Sequence, residues 1–394
     1  MRILISGAGI AGPTLAYWLT HYGFTPTVVE AAPHLRTGGY IIDFWGAGFD
    51  IANRMGLLSE IRERGYMVRE VRVVDRSDKR VVGFSTDAFS RTMGGRFVSL
   101  PRGDLAELIF HKIEGSVETI FGDRVEGLEQ NERCVKVTFA NGGEREFDLV
   151  IGADGLHSRV RELVFGQASG FEKYLGYKVA VFGVDHYRPR DELVYVMYTE
   201  VNQQVTRFAM RGDRTVFLFV FRDEDAGRPE SVNAQKNLLR MRFGGSGWEC
   251  PQILDALDAS DDLYFDCVSQ IRMQHDRGLW TRGRVTLVGD AAFCVSFLAG
   301  QGSALAMVAA YILAGELHRT QGDYTEALQR YQTLFWPFVS IKQKAALRFA
   351  GFFAPNSKGA LFLRNLVLRL MAIPWIADLA VGRDIADKIE LPNY

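Results

Sequence analysis

A glycine-rich turn between a strand and a helix opens this chain and constrains its fold more than any other feature. Residues 2–6 form a short apolar run, Gly7, Gly9 and Gly12 follow with the spacing G-x-G-x-x-G, and residues 14–21 have a helical pattern. Gly7 permits a tight turn, Gly9 lets the backbone approach a pyrophosphate, and Gly12 lets the helix pack close to the sheet. The amides at the helix N-terminus then face the negative charge of that pyrophosphate.

An acidic residue completes this pattern. Residues 25–30 read as a second strand that ends in Glu30, about 20 residues after the glycines, where a carboxylate binds ribose hydroxyls. A glycine-rich turn of some other α/β fold is the alternative, but the strand, the helix and the acid all stand at the expected places. The motif therefore predicts a dinucleotide site and leaves the choice between NAD and FAD open.

The composition disfavours several classes of protein. The 394 residues suffice for one large or two ordinary domains, and a net charge of −1 gives no reason to expect a nucleic-acid partner. The four cysteines are scattered without a C-x-x-C pair, which disfavours a disulfide framework or a metal site and suits the cytoplasm. Because the first residues lead directly into a strand, we expect no secretory leader.

Two further turns carry an acidic residue directly after a buried strand. Residues 149–151 lead into a turn with Asp154, and residues 285–288 lead into a turn with Asp290. An apolar strand before each acid favours a ligand-facing turn over an ordinary one. Residues 300–303 then present glycine amides at the start of a long helix, which makes a second cradle for an anion or a carbonyl group.

Residues 174–222 are rich in strands without an intervening helical pattern, which predicts an antiparallel sheet inserted into the nucleotide domain. One face of such a sheet can wall a substrate pocket. Arg207 pairs with an anionic enolate or is an exposed strand arginine, and both interpretations stay open. The candidate substrate residues on this sheet and on the strand after residue 40 are Asp43, Phe44, Gln204, Arg207 and Met210.

Three local patterns predict features of the helices. Asp104 stands where it can cap a helix over residues 105–113, and Pro337 is expected to break the helix that begins at Tyr324. Residues 361–372 form an amphipathic pattern. Its predicted buried face holds Phe362, Leu363, Leu366, Val367, Leu370 and Met371, with Arg364 and Arg369 off that face.

In their order along the chain, the three turns resemble the motifs of the single-component FAD-dependent aromatic hydroxylases, the family typified by p-hydroxybenzoate hydroxylase. The resemblance covers residues 1–340 and implies FAD as cofactor and NAD(P)H as reductant. It implies that the ADP half of FAD is held by Gly7, Gly9, Ala11, Gly12 and Glu30. It further implies cofactor contacts from Arg36, Arg102, Asp154, Asp290, Gly300, Gly302 and Ser303.

The predicted fold class is α/β, with a Rossmann-like FAD-binding domain, an inserted antiparallel-sheet substrate domain and C-terminal helices. The expected FAD-binding segments are residues 1–72, 101–170 and 276–340; the substrate-domain segments are 73–100 and 171–275; and residues 341–394 form a C-terminal helical lid.

The end of the chain narrows the resemblance. Residues 354–355, the helix from Leu363 and residues 390–394 resemble a bacterial branch that includes the tetracycline-inactivating flavoenzymes, called tetracycline destructases. In those enzymes an extra C-terminal helix covers the substrate entrance. One departure is that Val295 and Phe297 stand where relatives commonly carry prolines, which affects how a flavin ring swings or packs.

The family's chemistry implies that NAD(P)H reduces FAD, and that the reduced flavin forms a C4a-hydroperoxide with O₂ and hydroxylates a phenol or enol. No residue is assigned a catalytic role of its own. We expect a cytoplasmic monomer that binds an aromatic or polycyclic small molecule, with tetracycline as a candidate, and no stable membrane association.

Several alternatives stay open. One is a hydroxylase of an aromatic polyketide or another phenol, in biosynthesis or catabolism. Others are a flavin halogenase or a reductase, although the W-x-W-x-I-P stretch of halogenases is absent. A non-catalytic flavin-containing binder of aromatic ligands and a quinone-modifying component anchored to a membrane by residues 361–381 complete the alternatives.

Overall fold

The computed structural model describes residues 1–35, 40–87, 91, 94–273, 280–373 and 389–394, and only the backbone of residues 348–350. Within these ranges, parallel and antiparallel sheets combine with helices in a mixed α/β architecture. This architecture confirms the predicted fold class. The predicted domain boundaries stay a prediction.

A six-stranded sheet supports the N-terminal turn. Its strands are β1 (Arg2–Ser6), β2 (Thr25–Glu30), β7 (Glu118–Phe121), β11 (Leu149–Gly152), β17 (Thr281–Arg282) and β18 (Val285–Leu287). The strand order is β17-β18-β11-β1-β2-β7, and every pair except β17–β18 is parallel. Because β18, β11 and β1 are neighbours and run in the same direction, the three predicted ligand-facing turns lie together at one edge of the sheet.

A seven-stranded sheet forms the second large layer. Its strands are β4 (Glu70–Val74), β5 (Arg80–Ser85), β12 (Glu172–Asp185), β13 (Val194–Glu200), β14 (Gln203–Ala209), β15 (Arg214–Arg222) and β16 (Leu263–Ile271). The order is β16-β12-β15-β14-β13-β4-β5. The sheet is antiparallel as predicted, except that β4 and β13 run parallel.

Two small sheets complete the strands described. One pairs β3 (Ile41–Trp45) with β6 (Phe97–Pro101), and the other contains β8 (Val125–Gln130), β9 (Val135–Phe139) and β10 (Glu144–Phe147). Both are antiparallel.

The helices fill the space around these sheets. In chain order they are α1 (Ala11–His21), α2 (Ala47–Arg54), α3 (Leu58–Arg64), α4 (Arg102–His111), α5 (Arg159–Phe165), α6 (Val232–Phe243), α7 (Cys250–Asp258), α8 (Asp290–Phe293), α9 (Gly302–Arg319), α10 (Tyr324–Phe353) and α11 (Lys358–Met371). Helix α9 is buried along nearly its whole length and packs with α1 in the core of the nucleotide-binding part. Helices α6 and α7 cover one face of the seven-stranded sheet. No helix within the described residues is long and apolar enough to cross a membrane.

Two expectations about the helices are wrong. Helix α4 already begins at Arg102 with Pro101 at its N-cap, so Asp104 lies within the first turn and does not cap it. Helix α10 continues through Pro337 and does not break there. A proline inside a helix costs about 3 kcal/mol, and the full burial of Phe335 and Val339 on either side of Pro337 offsets that cost.

The C-terminal helix α11 lies with the opposite face inward from the one predicted. Phe362 is 68% exposed and Val367 is 42% exposed, whereas Arg364 and Leu368 are buried. Leu368 packs with Val73 and Val82 of the seven-stranded sheet. The hydrophobic pattern predicts the helix correctly, but tertiary packing buries the narrow side that carries Arg364 and leaves the broad apolar side exposed.

Candidate cofactor and substrate site

The N-terminal turn has the close contacts that its glycines predict. A Cβ atom on Gly12 would lie 1.9 Å from the carbonyl oxygen of Gly7, and one on Gly7 would lie 2.6 Å from the carbonyl oxygen of Ala153. Gly7 also has a φ of +109°, a conformation that strongly favours glycine. Gly9 is different, because its Cβ position meets only the guanidinium tip of Arg102, at 3.3 Å. Gly7 and Gly12 therefore serve the fold, while Gly9 faces the ligand space.

Glu30 lies against the same turn. Its carboxylate oxygens accept hydrogen bonds from the backbone amides of Ala8 (2.8 Å) and Ala32 (2.9 Å). A carboxylate offers about four lone-pair sites, so these two bonds leave acceptors for ribose hydroxyls. The sequence motif did not indicate that Glu30 also fixes the backbone of the glycine turn.

Arg102 connects the first turn with the third. Its guanidinium adjoins Gly9 and interacts electrostatically with Asp290 and with the hydroxyl group of Tyr40. Burial raises the pKa of Asp290, and the charge of Arg102 opposes that rise. The structure thus brings together two predicted cofactor residues that lie far apart in sequence. Arg36 lies outside the described residues.

The second turn is held by its own acid. Asp154 accepts hydrogen bonds from Ser158 Oγ (2.5 Å) and the Val160 amide (3.0 Å), and burial raises its pKa against these bonds. Ser158 also caps α5 by accepting from the amide of Arg161.

Arg161 is a residue that the sequence motifs did not assign. It is 1% exposed and donates to the carbonyl oxygens of Leu156 (2.6 Å) and Ala291 (2.9 Å). It therefore ties the turn after β11 to the start of α8. An arginine seven positions after an acidic turn is the available sequence signal, but its partners depend on tertiary structure.

The third turn fits closely against the first. Gly289, with a φ of +67°, leaves no more than 3.1 Å between its Cβ position and the Cβ atom of Ala11. The Asp290 carboxylate lies 3.6 Å from the Cβ position of Gly302, at the start of α9. Gly300 is left-handed (φ +64°), and Ser303 follows in the first turn of the helix.

These features fit FAD. The N-cap residues of α1 and α9, Ile10 and Gln301, make no side-chain capping bond, so the amides of both helix N-termini are available to a ligand. The glycine turn of α1 would hold the pyrophosphate, Glu30 a ribose, and Asp290 with the start of α9 the flavin end. These roles stay predictions for each residue.

Three aromatic rings lie together at the predicted flavin end. Phe297 lies 4.6 Å from the ring of Tyr40 and 6.0 Å from that of Tyr264, with which it is stacked. Val295 is buried, and its carbonyl oxygen accepts from Gln270 Nε2 at 2.8 Å. The two positions that depart from the family pattern therefore differ in role, since Phe297 joins the aromatic wall and Val295 belongs to the core.

A histidine and a carboxylate close one side of this region. His157 Nε2 lies 3.3 Å from both oxygens of Asp266, which is buried on β16, and Tyr264 donates to the same carboxylate. The hydrogen bond with Asp266 raises the pKa of His157 despite partial burial of the ring. His157 thereby joins the second turn to the seven-stranded sheet.

Asp43 is the most distinctive of the predicted substrate residues. It lies deep in the molecule, where burial raises its pKa, yet its side chain is only half-buried. One oxygen accepts from Ser99 Oγ (2.5 Å) and Tyr195 OH (3.3 Å). Asp43 is therefore a carboxyl group inside the protein that retains some accessible surface. Met210 packs nearby, in a cluster with Tyr195.

The other predicted substrate residues divide between two faces. Gln204 is 1% exposed on the face of β14 that also carries Thr206 and Phe208, whereas Phe44 packs in the core against Phe49. The position of Phe44 does not support a substrate contact, because side chains alternate along a strand and Phe44 takes the core side of β3, opposite to Asp43.

Arg207 requires a correction. It lies on the opposite face of β14 from Gln204, bonded to Asp191 at 2.6 Å and 3.5 Å from Glu249. It is 3% exposed, so the interpretation as an exposed strand arginine is wrong. Its guanidinium is already paired with two carboxylates, which removes the support for an enolate contact.

Comparison with known proteins defines the class of this chain. The model of the FAD binding domain family matches residues 1–333. The chain therefore belongs to that family, which confirms the predicted membership among FAD-dependent aromatic hydroxylases.

Individual relatives narrow the class further. A flavin-dependent monooxygenase from an unknown prokaryotic organism is 34% identical over 400 residues, spanning 100% of this chain and 99% of its own length. An uncharacterized protein of Mycobacterium tuberculosis (strain ATCC 25618 / H37Rv) is 39% identical over 354 residues, or 86% of this chain and 91% of its own. The crystal structure of tetracycline destructase Tet(55) matches with a TM-score of 0.84 and 32% identity, covering 100% of this chain and 98% of that one. The chain is thus a flavin-dependent monooxygenase by family, similar to the tetracycline destructases.

Proposed function

We propose that this protein uses NAD(P)H and O₂ to hydroxylate an electron-rich fused-ring phenol or enol, with tetracycline as the first substrate to test. The observation that carries the proposal is the position of Asp43, a partly accessible carboxyl group three residues after Tyr40, whose hydroxyl group interacts with Arg102 and Asp290. The likeness to tetracycline destructase Tet(55) supports the choice of substrate.

The protein's own part is to bind the cofactor and the substrate, to orient them, and to exclude water from the site. When bound, FAD supplies hydride acceptance from NAD(P)H and the transfer of one oxygen atom from O₂ to the substrate. Gly9, Arg102 and Asp290 would hold the cofactor, and the rings of Tyr40, Tyr264 and Phe297 would exclude water from its reactive end.

Asp43 is assigned the role of proton acceptor. Its carboxylate takes the proton of a phenolic or enolic hydroxyl group, and the resulting oxyanion makes the ring more electron-rich. The raised pKa of Asp43 brings the group closer to working pH, which favours general-base catalysis. Ser99 and Tyr195 both donate to one carboxylate oxygen, which leaves the other oxygen to the substrate.

Flavin reduction tests this function. Purified FAD-loaded protein is mixed with NADPH or NADH under anaerobic conditions, with and without tetracycline, and the absorbance of oxidised flavin is followed. We expect one of the two reductants to bleach the flavin, and air to restore it with consumption of that reductant. A flavin that stays oxidised with both reductants would instead indicate the non-catalytic aromatic-ligand binder.

A further inference from the structure

Arg364 on α11 is a buried cation with weak partners. It is 5% exposed and donates to two neutral amide oxygens, Gln204 Oε1 (3.1 Å) and Asn365 Oδ1 (3.2 Å), while its Nε has no hydrogen-bond partner within the described ranges. Its guanidinium also lies over the ring of Phe352, 4.9 Å from the centroid. Among the residues that the structure describes, no carboxylate forms a salt bridge with it.

Within the described part of the chain, this arrangement leaves the positive charge of Arg364 uncompensated. A buried charge is costly unless it is paired, and amide oxygens neutralise no charge. Burial lowers the pKa of Arg364 to about 10, so the side chain still carries its proton at neutral pH. Arg207 on β14, which is buried to a similar degree, shows the contrast, because it contacts both Asp191 and Glu249.

The partner of Arg364 relates it to the predicted flavin-binding segment between Asp290 and Gly300. Its partner Gln204 stands opposite Val220 on β15, and Val220 packs with Leu298 in the segment between Asp290 and Gly300. Neighbouring strands lie roughly 4.8 Å apart. Arg364 therefore approaches the sheet one strand away from the residues that pack on the predicted flavin-binding loop.

The separation between the Asp43 end and the Arg364 end of the sheet indicates how long a ligand that contacts both must be. Tyr195, the partner of Asp43, and Thr199, the partner of Gln204, lie on the same face of β13 and four residues apart. At 3.2–3.4 Å per residue this separation is roughly 13 Å. A single benzene ring does not reach both ends, whereas a row of fused rings does.

We propose that Arg364 is a specificity-determining residue that binds an anionic oxygen at one end of an elongated fused-ring substrate whose phenolic or enolic end lies at Asp43. This inference rests on the proposed function, whose substrate class it narrows to fused-ring anions. The apolar face of α11 points outward, and the opposite face directs the charged side chain of Arg364 to the sheet.

The test uses a matched pair of probes that undergo no hydroxyl chemistry. Anthraquinone-2-carboxylate and anthraquinone-2-carboxamide share their rings and differ in charge. Their affinities for the FAD-loaded protein are measured by isothermal titration calorimetry for the wild type, Arg364→Met, Arg364→Lys and Arg369→Met. Arg369 lies on the same helix but is exposed, and it serves as the matched control.

We expect the wild type and Arg369→Met to prefer the carboxylate by roughly ten- to hundred-fold, the range of a hydrogen bond between charged groups. Arg364→Met should bind both probes equally, and Arg364→Lys should retain part of the preference. Because Arg364→Met removes a poorly paired charge, its melting temperature without ligand should not fall.

Two other outcomes would contradict the proposal. An unchanged preference in Arg364→Met, or a loss of folding in that variant together with no preference left in a folded Arg364→Lys, would overturn the role of Arg364 as a charge-selective ligand and leave the proposed function standing. Failure of the wild type to bind either probe would contradict the fused-ring substrate class, and with it both proposals.

Discussion

Two alanine substitutions within one glycine turn should have opposite effects. In Gly12→Ala the new Cβ would lie 1.9 Å from the Gly7 carbonyl oxygen, so helix α1 must move by about 1.5 Å to reach an ordinary contact of 3.4 Å. In Gly9→Ala the new Cβ would meet only the flexible tip of Arg102, at 3.3 Å. The first substitution disturbs the fold, whereas the second disturbs the ligand space.

The magnitudes follow from these contacts. Overpacking a well-packed site costs about 1–3 kcal/mol, and backbone-to-backbone overlap places Gly12→Ala at about 3 kcal/mol. Gly9→Ala removes conformational freedom from the unfolded chain, which is worth about 0.4–1 kcal/mol in favour of folding where the backbone conformation is allowed. Its Cβ occupies the approach of a pyrophosphate, and we expect at least a ten-fold loss of FAD affinity, or about 1.4 kcal/mol.

The assay separates fold from cofactor. Urea denaturation of the FAD-free proteins reports the free energy of unfolding, and titration of flavin fluorescence reports the FAD dissociation constant. The expected result is a stable Gly9→Ala protein that binds FAD poorly and a destabilised Gly12→Ala protein. Wild-type FAD affinity in Gly9→Ala would refute the placement of the pyrophosphate at this turn.

Three further predictions concern charged groups. Asp43→Asn should keep its FAD content but lose roughly 10²- to 10⁴-fold in kcat with a phenolic substrate; an unchanged kcat would exclude Asp43 as the base. Arg207→Met should cost about 3–5 kcal/mol in the free energy of unfolding, because it leaves the buried Glu249 without its cation, whereas Asp191 keeps its salt bridge to Arg72; a neutral effect in urea denaturation would contradict that pairing. The raised pKa of His157 means that Asp266 stabilises the protonated form of its ring. His157→Gln should therefore lower the melting temperature most at pH below about 6.5, and the difference should vanish as the pH rises through the raised pKa; a pH-independent difference would contradict the contact.

The nucleotide-binding part was predictable because its determinants are local. Gly7 and Gly12 each meet a backbone carbonyl at a distance that only glycine allows, and a strand, turn and helix within a few residues create that contact. The same logic applies to Asp290, which follows a short buried strand directly. Neighbouring parallel strands then bring the three turns together.

The substrate side was less predictable because it depends on which face of an element is inward. Gln204 and Arg207 differ by three positions on one strand, so alternation alone places them on opposite faces, and this signal was present in the sequence. Helix α11 offered no such signal. Its broad apolar side is exposed while Arg364 and Leu368 face the sheet, a choice made by contacts with β5 and β14 that are distant in sequence.

The most direct test of the central claim is the mass of tetracycline after incubation with FAD-loaded protein, the effective reductant and isotopically labelled O₂. We expect a product that has gained one labelled oxygen atom, in an amount that depends on the reductant. Loss of reductant with tetracycline and other fused-ring phenols all unchanged in mass, or a gained atom that carries no label, would contradict this expectation.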